Sequence, residues 1–265
     1  MALKLMVLIK QVPDAEEIFI DPVKFTLNRS QARGIINPAD ENAIEAALKI
    51  KDEVGAEITV MTMGPPAAET ALIECMGRGV DKGILITDRV FAAADTWATS
   101  LTLAAAFNIL GDFDIIFAGE STSDSGTGHV GPGVAEFLGI DQVTYSVNSK
   151  VDGKNVIVER SLEDGTEVVS VPMPVLITTL IGSNIPRRST LRMKIDALKK
   201  GITVLDHDKL KLQPEWVGIK GSPTIVGSLK IPEEKKREGK KYEVEDIPKL
   251  VDDLIEKGAI KIGEA

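Results

Sequence analysis

Apolar and polar positions alternate along this chain in two rhythms, and the rhythms predict its elements. The run "LKLMVLI", Leu3 to Ile9, is short and apolar at nearly every position, the pattern of a strand buried on both faces. Residues 10–34, with Pro13, Pro22 and mixed charges, show no period and are expected to be irregular. In "NPADENAIEAALKIKDEVGA" the period becomes helical: Ala43, Ala46, Ala47, Ile50 and Val54 form one stripe. Asn37 is the candidate N-cap, Pro38 suits the first helical position, and Gly55 is the stop. The exchange then repeats. "EITVMTMG" reads as a strand, "PPAAETALIECMGRG" as a helix opened by proline, and "KGILITD" as a strand. "ADTWATSLTLAAAFNIL" reads as a helix, "FDIIFAG" as a strand, and "VGPGVAEFLG" as a short helix opened by Pro132. Strands alternating with amphipathic helices predict an α/β fold, a parallel sheet with helices on both faces.

Two stretches depart from this alternation. From Gln142 to Val175 the period is two, broken at Asp152-Gly153 and Asp164-Gly165, which predicts an antiparallel ribbon turning at those pairs. "PVLITTL" returns to a buried strand. After Val204 the periodicity fades, and "KGSPTIVGSLKIPEEKKREGKKYEVED" reads as an extended C-terminal arm, with a short helix at Ile247 to Gly258. The expected division is therefore an α/β domain over 1–205 and an arm over 206–265. An arm with so little core of its own needs another surface to bury it, which points to a partner; the competing reading is a solvated tail. The sequence shows no internal repeat.

Composition narrows the function. The 265 residues are 43% hydrophobic but only 4% aromatic, so the core is built from Val, Ile, Leu, Ala and Met. A net charge of −9 excludes a bulk basic field for nucleic acid or anionic lipid. A single cysteine, Cys75, excludes an intrachain disulfide and a multi-cysteine metal site. The run Leu3 to Ile9 is too short to span a membrane and no small-residue cleavage site follows it, so a cytoplasmic location is expected.

"GTGHVG", Gly126 to Gly131, matches the dinucleotide pattern G-x-G-x-x-G. That fingerprint needs its first glycine at the end of a strand and an acid about 20 positions on, at the end of the next strand. Here the strand ends near Gly119, the loop's first glycine, Gly126, comes seven residues later, and Asp152 falls in a predicted turn. The match does not make an NAD fingerprint. What remains is a loop from Glu120 to Gly131 rich in Ser121, Thr122, Ser123, Ser125, Gly126, Thr127 and Gly128, followed by a helix start. Its hydroxyls and amides suit a phosphate cradle without a lysine; a mobile solvent loop is the alternative. Lys10, Met63, Gly64 and Pro65 follow other strands and face the same crevice, while Asp95, Thr96 and Thr99 open a helix that Asp95 would cap. There is no phosphate-loop lysine motif, no H-E-x-x-H and no nucleophile elbow, and His129 lies far from His207 in sequence, so no catalytic or metal-ligating residue is nominated.

Six blocks, "VLIKQVPD", "NPADENAIEAALKIKD", "VMTMGPP", "AADTWATS", "HVGPGVAEFLG" and "GSNIPRRSTLRMKIDALKKGI", resemble in this order the beta subunit of electron transfer flavoproteins, over nearly the whole chain. "ADTWATS" resembles the electron-bifurcating branch, whose beta subunit holds a second FAD where the housekeeping branch holds AMP. The resemblance implies an adenine-nucleotide alpha-hydrolase-like, Rossmann-like fold and a heterodimer with an alpha subunit, embraced by the arm. It implies a site for FAD, or alternatively AMP, at Leu8, Lys10, Asn37, Asp40, Met63, Gly64, Asp95, Thr96 and Thr99. The loop adds Gly119, Ser123, Asp124, Ser125, Gly126, Thr127, Gly128, His129 and Val130. It further implies NADH as hydride donor and ferredoxin or flavodoxin as one acceptor. The other would be an acyl-CoA dehydrogenase or a quinone-reducing flavoprotein, with membrane association only through such partners. Asn184, Ile185, Pro186, Arg187, Arg188 and Leu191 match the recognition loop that docks a dehydrogenase, with Leu191 as apolar anchor and the arginines as its polar flank; the alternative for the arginines is a solvated loop face. Bifurcating relatives commonly read D-G-D-T-A-Q-V-G-P where this chain reads "DSGTGHVGP", so Gly126, Gly128 and His129 replace an acid, an alanine and a glutamine. Two other functions stay open: a simple electron carrier with AMP, and a non-redox adenine-nucleotide-binding regulator.

Overall fold

A computed structural model describes residues 2–14, 19–20, 27–28, 33–227 and 239–260. In chain order the elements are β1 (Leu3–Leu8), β2 (Gln11–Pro13), β3 (Phe19–Ile20), β4 (Leu27–Asn28), β5 (Gly34–Ile36), α1 (Pro38–Val54), β6 (Ala56–Met63), α2 (Glu69–Met76) and β7 (Lys82–Ile86). There follow α3 (Thr96–Leu110), β8 (Ile115–Gly119), α4 (Val130–Leu138), β9 (Asp141–Asp152), β10 (Asn155–Leu162), β11 (Gly165–Pro172) and β12 (Val175–Thr179). Last come α5 (Leu191–Lys200), β13 (Thr203–Leu205), α6 (His207–Leu210), α7 (Gly218–Gly221) and α8 (Ile247–Glu256).

Nine strands form one sheet in the order β11-β10-β9-β12-β8-β1-β6-β7-β13. Pairing is parallel from β9 across to β13 and antiparallel in the β9-β10-β11 ribbon. The expected parallel α/β sheet with an antiparallel ribbon is what the chain forms. The apolar run of β1 serves both faces because successive side chains point oppositely. Leu5 and Val7 join Phe117, Ala43, Ile44, Leu48 and Leu72 in a core under α1 and α2. Met6 and Leu8 join Met61, Leu103, Phe107 and Val134 in a core under α3 and α4. Each fully buried aliphatic side chain of this kind contributes about 1.5–3 kcal/mol, so both layers are needed to hold the sheet.

Several local expectations are corrected. Residues 10–34 are not wholly irregular: β2 pairs antiparallel with β5, and β3 with β4, in strands too short to display a period. The stripe on α1 gains Ile44 and Leu48 and loses Val54, which is exposed at the last turn. Asp152 pairs with Asn155 and Leu162 with Gly165, so the ribbon turns at Gly153-Lys154 and Glu163-Asp164, one residue from the expected centres in each case. This register places Val156 and Val158 in the core, which a one-residue slip would expose. Helix α4 begins at Val130, so Pro132 lies inside its first turn.

The chain divides into two compact units, Met1–Ile225 and Val226–Ala265. Residues 206–225 belong to the first unit, where Leu210 and Val217 are buried in the core beneath α3. In the second unit the expected terminal helix is α8, and Tyr242 and Lys240 both bond to its Asp253. Its apolar Ile247 and Val251 are exposed. Residues 228–238 and 261–265 of the expected arm lie outside the described residues.

Candidate functional site

Strand β1 is followed by α1 on one face of the sheet and its neighbour β8 by α4 on the other. At such a reversal the strand ends part and a crevice opens, the place where open α/β sheets take ligands. Asp40, in the first turn of α1, occupies the inner end of this crevice and is 4% exposed. Its Oδ2 accepts the Lys10 N–H at 2.7 Å, and its Oδ1 accepts the Gly119 N–H at 3.1 Å and Asn37 Nδ2–H at 3.0 Å. One carboxylate thus ties the end of β1, the end of β8 and the start of α1. Burial pushes its pKa up to about 7, against the pull of Asn37, the Lys10 and Gly119 amides and the Lys10 charge.

Gly119 must be glycine here. A Cβ would lie 2.3 Å from Asp40 Oδ1 and 2.9 Å from the Ala39 carbonyl carbon. Gly119→Ala is expected to cost about 2 kcal/mol, in the range typical of an overpacked core, and calorimetry should show the melting temperature several degrees lower.

Asn37 sits at the N-cap position of α1, but its side chain makes no capping bond. It reaches across the crevice, donating to Ser121 O at 2.8 Å and accepting the Ser123 N–H at 3.1 Å. The expected cap is replaced because the loop after β8 offers a donor and an acceptor to the same amide. Lys10 Nζ closes the other side, 2.7 Å from Asp124 Oδ2. Partial burial works against the Asp124 charge, but Lys10 and Thr122 outweigh it and hold the carboxyl below its ordinary value.

The outer part of the loop is a turn built on Thr122, whose carbonyl accepts the Gly126 N–H at 2.7 Å. Gly126 and Gly128 take φ of +66° and +67°, a backbone that glycine adopts without strain. Among the described residues, the amides of Thr127, Gly128 and His129 donate to no protein acceptor, and α4 begins directly behind them at Val130. Successive free amides ahead of a helix N-terminus form a concavity for an anion. The arrangement fits a phosphate group; His129 is exposed at its rim and gives α4 no side-chain cap.

The other expected site residues are placed around this network in different ways. Leu8 ends β1 with its side chain in the core, leaving only its backbone at the crevice. Met63 is half-buried at the end of β6, and Gly64 donates its N–H to Ile86 O at 3.0 Å. Asp95 caps α3 by accepting the Ala98 N–H at 3.0 Å, as expected of it alone. Its second oxygen accepts the Thr224 N–H at 3.0 Å and Thr224 Oγ1–H at 2.8 Å, and its own N–H donates to Ser222 Oγ. Burial opposes the Asp95 charge, but these bonds hold its pKa below the ordinary value. Thr99 N–H bonds to the Asp95 carbonyl, and Ser100 Oγ–H reaches both Thr96 O and Val130 O, joining α3 to α4. Ser125 Oγ pairs with Thr122 Oγ1 at 2.7 Å.

The segment from Asn184 to Arg187 lies against α1. Asn184 exchanges hydrogen bonds with Asn42, and Arg187 pairs with Glu45 at 2.9 Å and Asp52 at 2.8 Å. Those two carboxylates raise the Arg187 pKa above its ordinary value and turn the guanidinium toward α1. Ile185 and Leu191 are 90% and 76% exposed, Arg188 is exposed, and Pro186 is half-buried. Thr190 caps α5 by accepting the Met193 N–H. Sequence reasoning missed Asn42, Glu45, Asp52, Ser222 and Thr224. The signal for the first three was there: polar residues at helical spacing inside the apolar "NAIEAALKIKD".

No group of His, Cys, Asp or Glu among the described residues is arranged to hold a metal ion. Burial pushes the Cys75 thiol pKa far up, which removes it as a nucleophile. No helix among the described residues is long and apolar enough to cross a membrane.

Fold and site together define an open α/β protein with a loop of unpaired amides, among the described residues, at its switch point. The chain belongs to the electron transfer flavoprotein family, among its beta subunits: residues 24–210 match the electron transfer flavoprotein domain. It is 46% identical to an electron transfer flavoprotein subunit beta of Clostridium acetobutylicum, over 84% of this chain and 86% of that protein. It is 44% identical to subunit CarD of the caffeyl-CoA reductase-Etf complex of Acetobacterium woodii, over 84% of this chain and 86% of that protein. Acryloyl-CoA reductase electron transfer subunit gamma of Anaerotignum propionicum is 41% identical, over 97% of this chain and all of that protein.

Proposed function

We propose that this chain, paired with an electron transfer flavoprotein alpha subunit, binds FAD at the switch-point crevice and works as a cytoplasmic electron-bifurcating subunit. The pair takes hydride from NADH and divides its two electrons. One goes to ferredoxin or flavodoxin, and the other goes through the alpha subunit to an acyl-CoA dehydrogenase or a quinone-reducing flavoprotein. The carrying observation is the turn of unpaired amides at Thr127, Gly128 and His129, set ahead of α4 and beside the Asp40 network. Relatives named as parts of caffeyl-CoA and acryloyl-CoA reductase systems support an acyl-CoA-linked acceptor. Bound FAD would supply the hydride and one-electron chemistry.

The chain's own residues bind and orient. The open amides take the pyrophosphate, Asn37 and Asp40 fix the loop that carries them, and the Lys10–Asp124 pair keeps the loop's charge balanced. Gly64 leaves room at the end of β6. The segment 184–193 docks the acceptor, and the residues after Ile225 embrace the alpha subunit.

Extraction of flavin and nucleotide from the purified heterodimer tests this. A second FAD in every heterodimer is expected. A single FAD accompanied by AMP would overturn bifurcation and leave a simple electron carrier. A colourless monomer that binds ATP would overturn the redox reading altogether.

A further inference from the structure

The segment between β12 and α5 is held in place mainly by side chains of α1. From Gly182 to Arg188, one backbone-to-backbone hydrogen bond is present among the described residues, Ser183 N–H to Leu180 O at 3.2 Å. The remaining holds come from Asn42 and Glu45, with Asp52 pairing the outer side of the Arg187 guanidinium at 2.8 Å. Asn42 Oδ1 accepts the Gly182 N–H at 2.9 Å, and Asn42 Nδ2 donates to Asn184 O at 2.8 Å and to Asn184 Oδ1 at 2.9 Å. Asn184 Nδ2 returns a bond to Asn42 O at 2.9 Å. Glu45 accepts the Arg187 backbone N–H at 2.9 Å and grips its guanidinium through Nε and Nη2.

Asn42 and Glu45 are 4% and 5% exposed, and their side chains bond to nothing outside this segment among the described residues. A buried carboxylate in an ion pair adds little stability over a packed apolar side chain. Its effect here is geometric. The chain is fixed at Asn184 and again at Arg187, so Ile185 and Pro186 form an arch between two clamps. Ile185 is 90% exposed at its top, with Leu191 76% exposed beyond. An apolar tip already ordered in the free protein loses little conformational entropy when a partner covers it.

We propose that Asn42 and Glu45 are positioning residues for acceptor docking: they preorganise the arch that presents Ile185. The proposal rests on the docking reading of this segment. It assigns Arg187 to the arch's foundation rather than to contact with the partner.

The test uses the flavin-loaded heterodimer with NADH as donor, ferredoxin or flavodoxin as one acceptor, and an acyl-CoA dehydrogenase with its enoyl-CoA as the other. Glu45→Gln should raise KM for the dehydrogenase about tenfold, as expected for a lost preorganising contact, with kcat, bound flavin and reduction of a small dye unchanged. Exchange of the Arg187 amide hydrogen should quicken. Arg187→Gln should give the same rise, and the double variant no more than either single one. Multiplied effects in the double variant would mean that Arg187 touches the partner itself, and would overturn the proposal. So would an unchanged KM in Glu45→Gln while Leu191→Ala raises it. If Leu191→Ala and Ile185→Ala both leave KM unchanged, the docking reading fails and takes the proposal with it. Should Glu45→Gln give little folded heterodimer, Arg187→Gln, with a partly exposed side chain, carries the same test.

Discussion

Asp40→Asn should flatten the pH dependence of stability between about pH 4 and pH 7. An unfolded aspartate titrates near pH 4, whereas burial places the native group at about 7. Between those values the native chain holds a proton that the unfolded chain has lost. Stability therefore falls as pH rises through the window, by up to about 1.4 kcal/mol per unit and about 4 kcal/mol in total. Asparagine does not titrate, so the variant loses this slope. It also keeps only part of the network. The amide oxygen can accept from Gly119 N–H and Asn37, but its Nδ2 then faces the Lys10 N–H, donor against donor. A protonated carboxyl still accepts at both oxygens; an amide does not. At pH 5 the variant should be less stable by about 1–3 kcal/mol, the cost of one unsatisfied buried donor. By pH 8 the gap should narrow or reverse. Urea denaturation of both proteins across this range checks the prediction, and parallel curves would rule out titration of Asp40 as the source of the slope.

Gly128→Leu should remove most of the bound flavin or nucleotide while the domain stays folded. Gly128 has φ +67°, where a leucine is strained by about 1–2 kcal/mol, and a Cβ would sit 3.0 Å from Glu120 O. The larger effect is on the ligand. The new side chain stands among the amides of Thr127, Gly128 and His129, which have no protein acceptor among the described residues. Loss of the charge-assisted bonds these amides would give a phosphate is expected to weaken binding by about 3 kcal/mol, or more than a hundredfold. The readout is flavin and nucleotide content after gel filtration, beside circular dichroism to confirm folding. Full occupancy in a folded variant would place the phosphates elsewhere.

The sequence carried more of the fold than of the site. Helix α1 was legible because Pro38, the apolar stripe and Gly55 are local signals that agree. The ribbon was legible from its period of two, but its turns were displaced by one residue because register depends on which valines reach the core. The site residues were named largely by resemblance, and their partners were hidden. Asn37 carries every local sign of a helix cap, yet it bonds to Ser121 and Ser123, more than 80 positions away. Asp95 looked like a cap and is one, but Thr224 also claims it from 129 positions away. Arg187 read as the polar flank of a docking loop, and nothing local tied it to Glu45, 142 positions away.

By itself the sequence determined the order of strands and helices and which faces are apolar, because periodicity and chain-breaking residues act over a few neighbours. It also set the small-residue loop after β8. Only the tertiary structure decided what the polar residues do. Parallel pairing brings the ends of β1 and β8 side by side, and Asp40 is buried there because two backbone amides from distant strands meet it. The packing of α1 under the β12–α5 segment turns Asn42 and Glu45 from a polar stripe into a clamp. Hydrogen bonds need partners within about 3 Å, and only the folded chain determines which residues come that close.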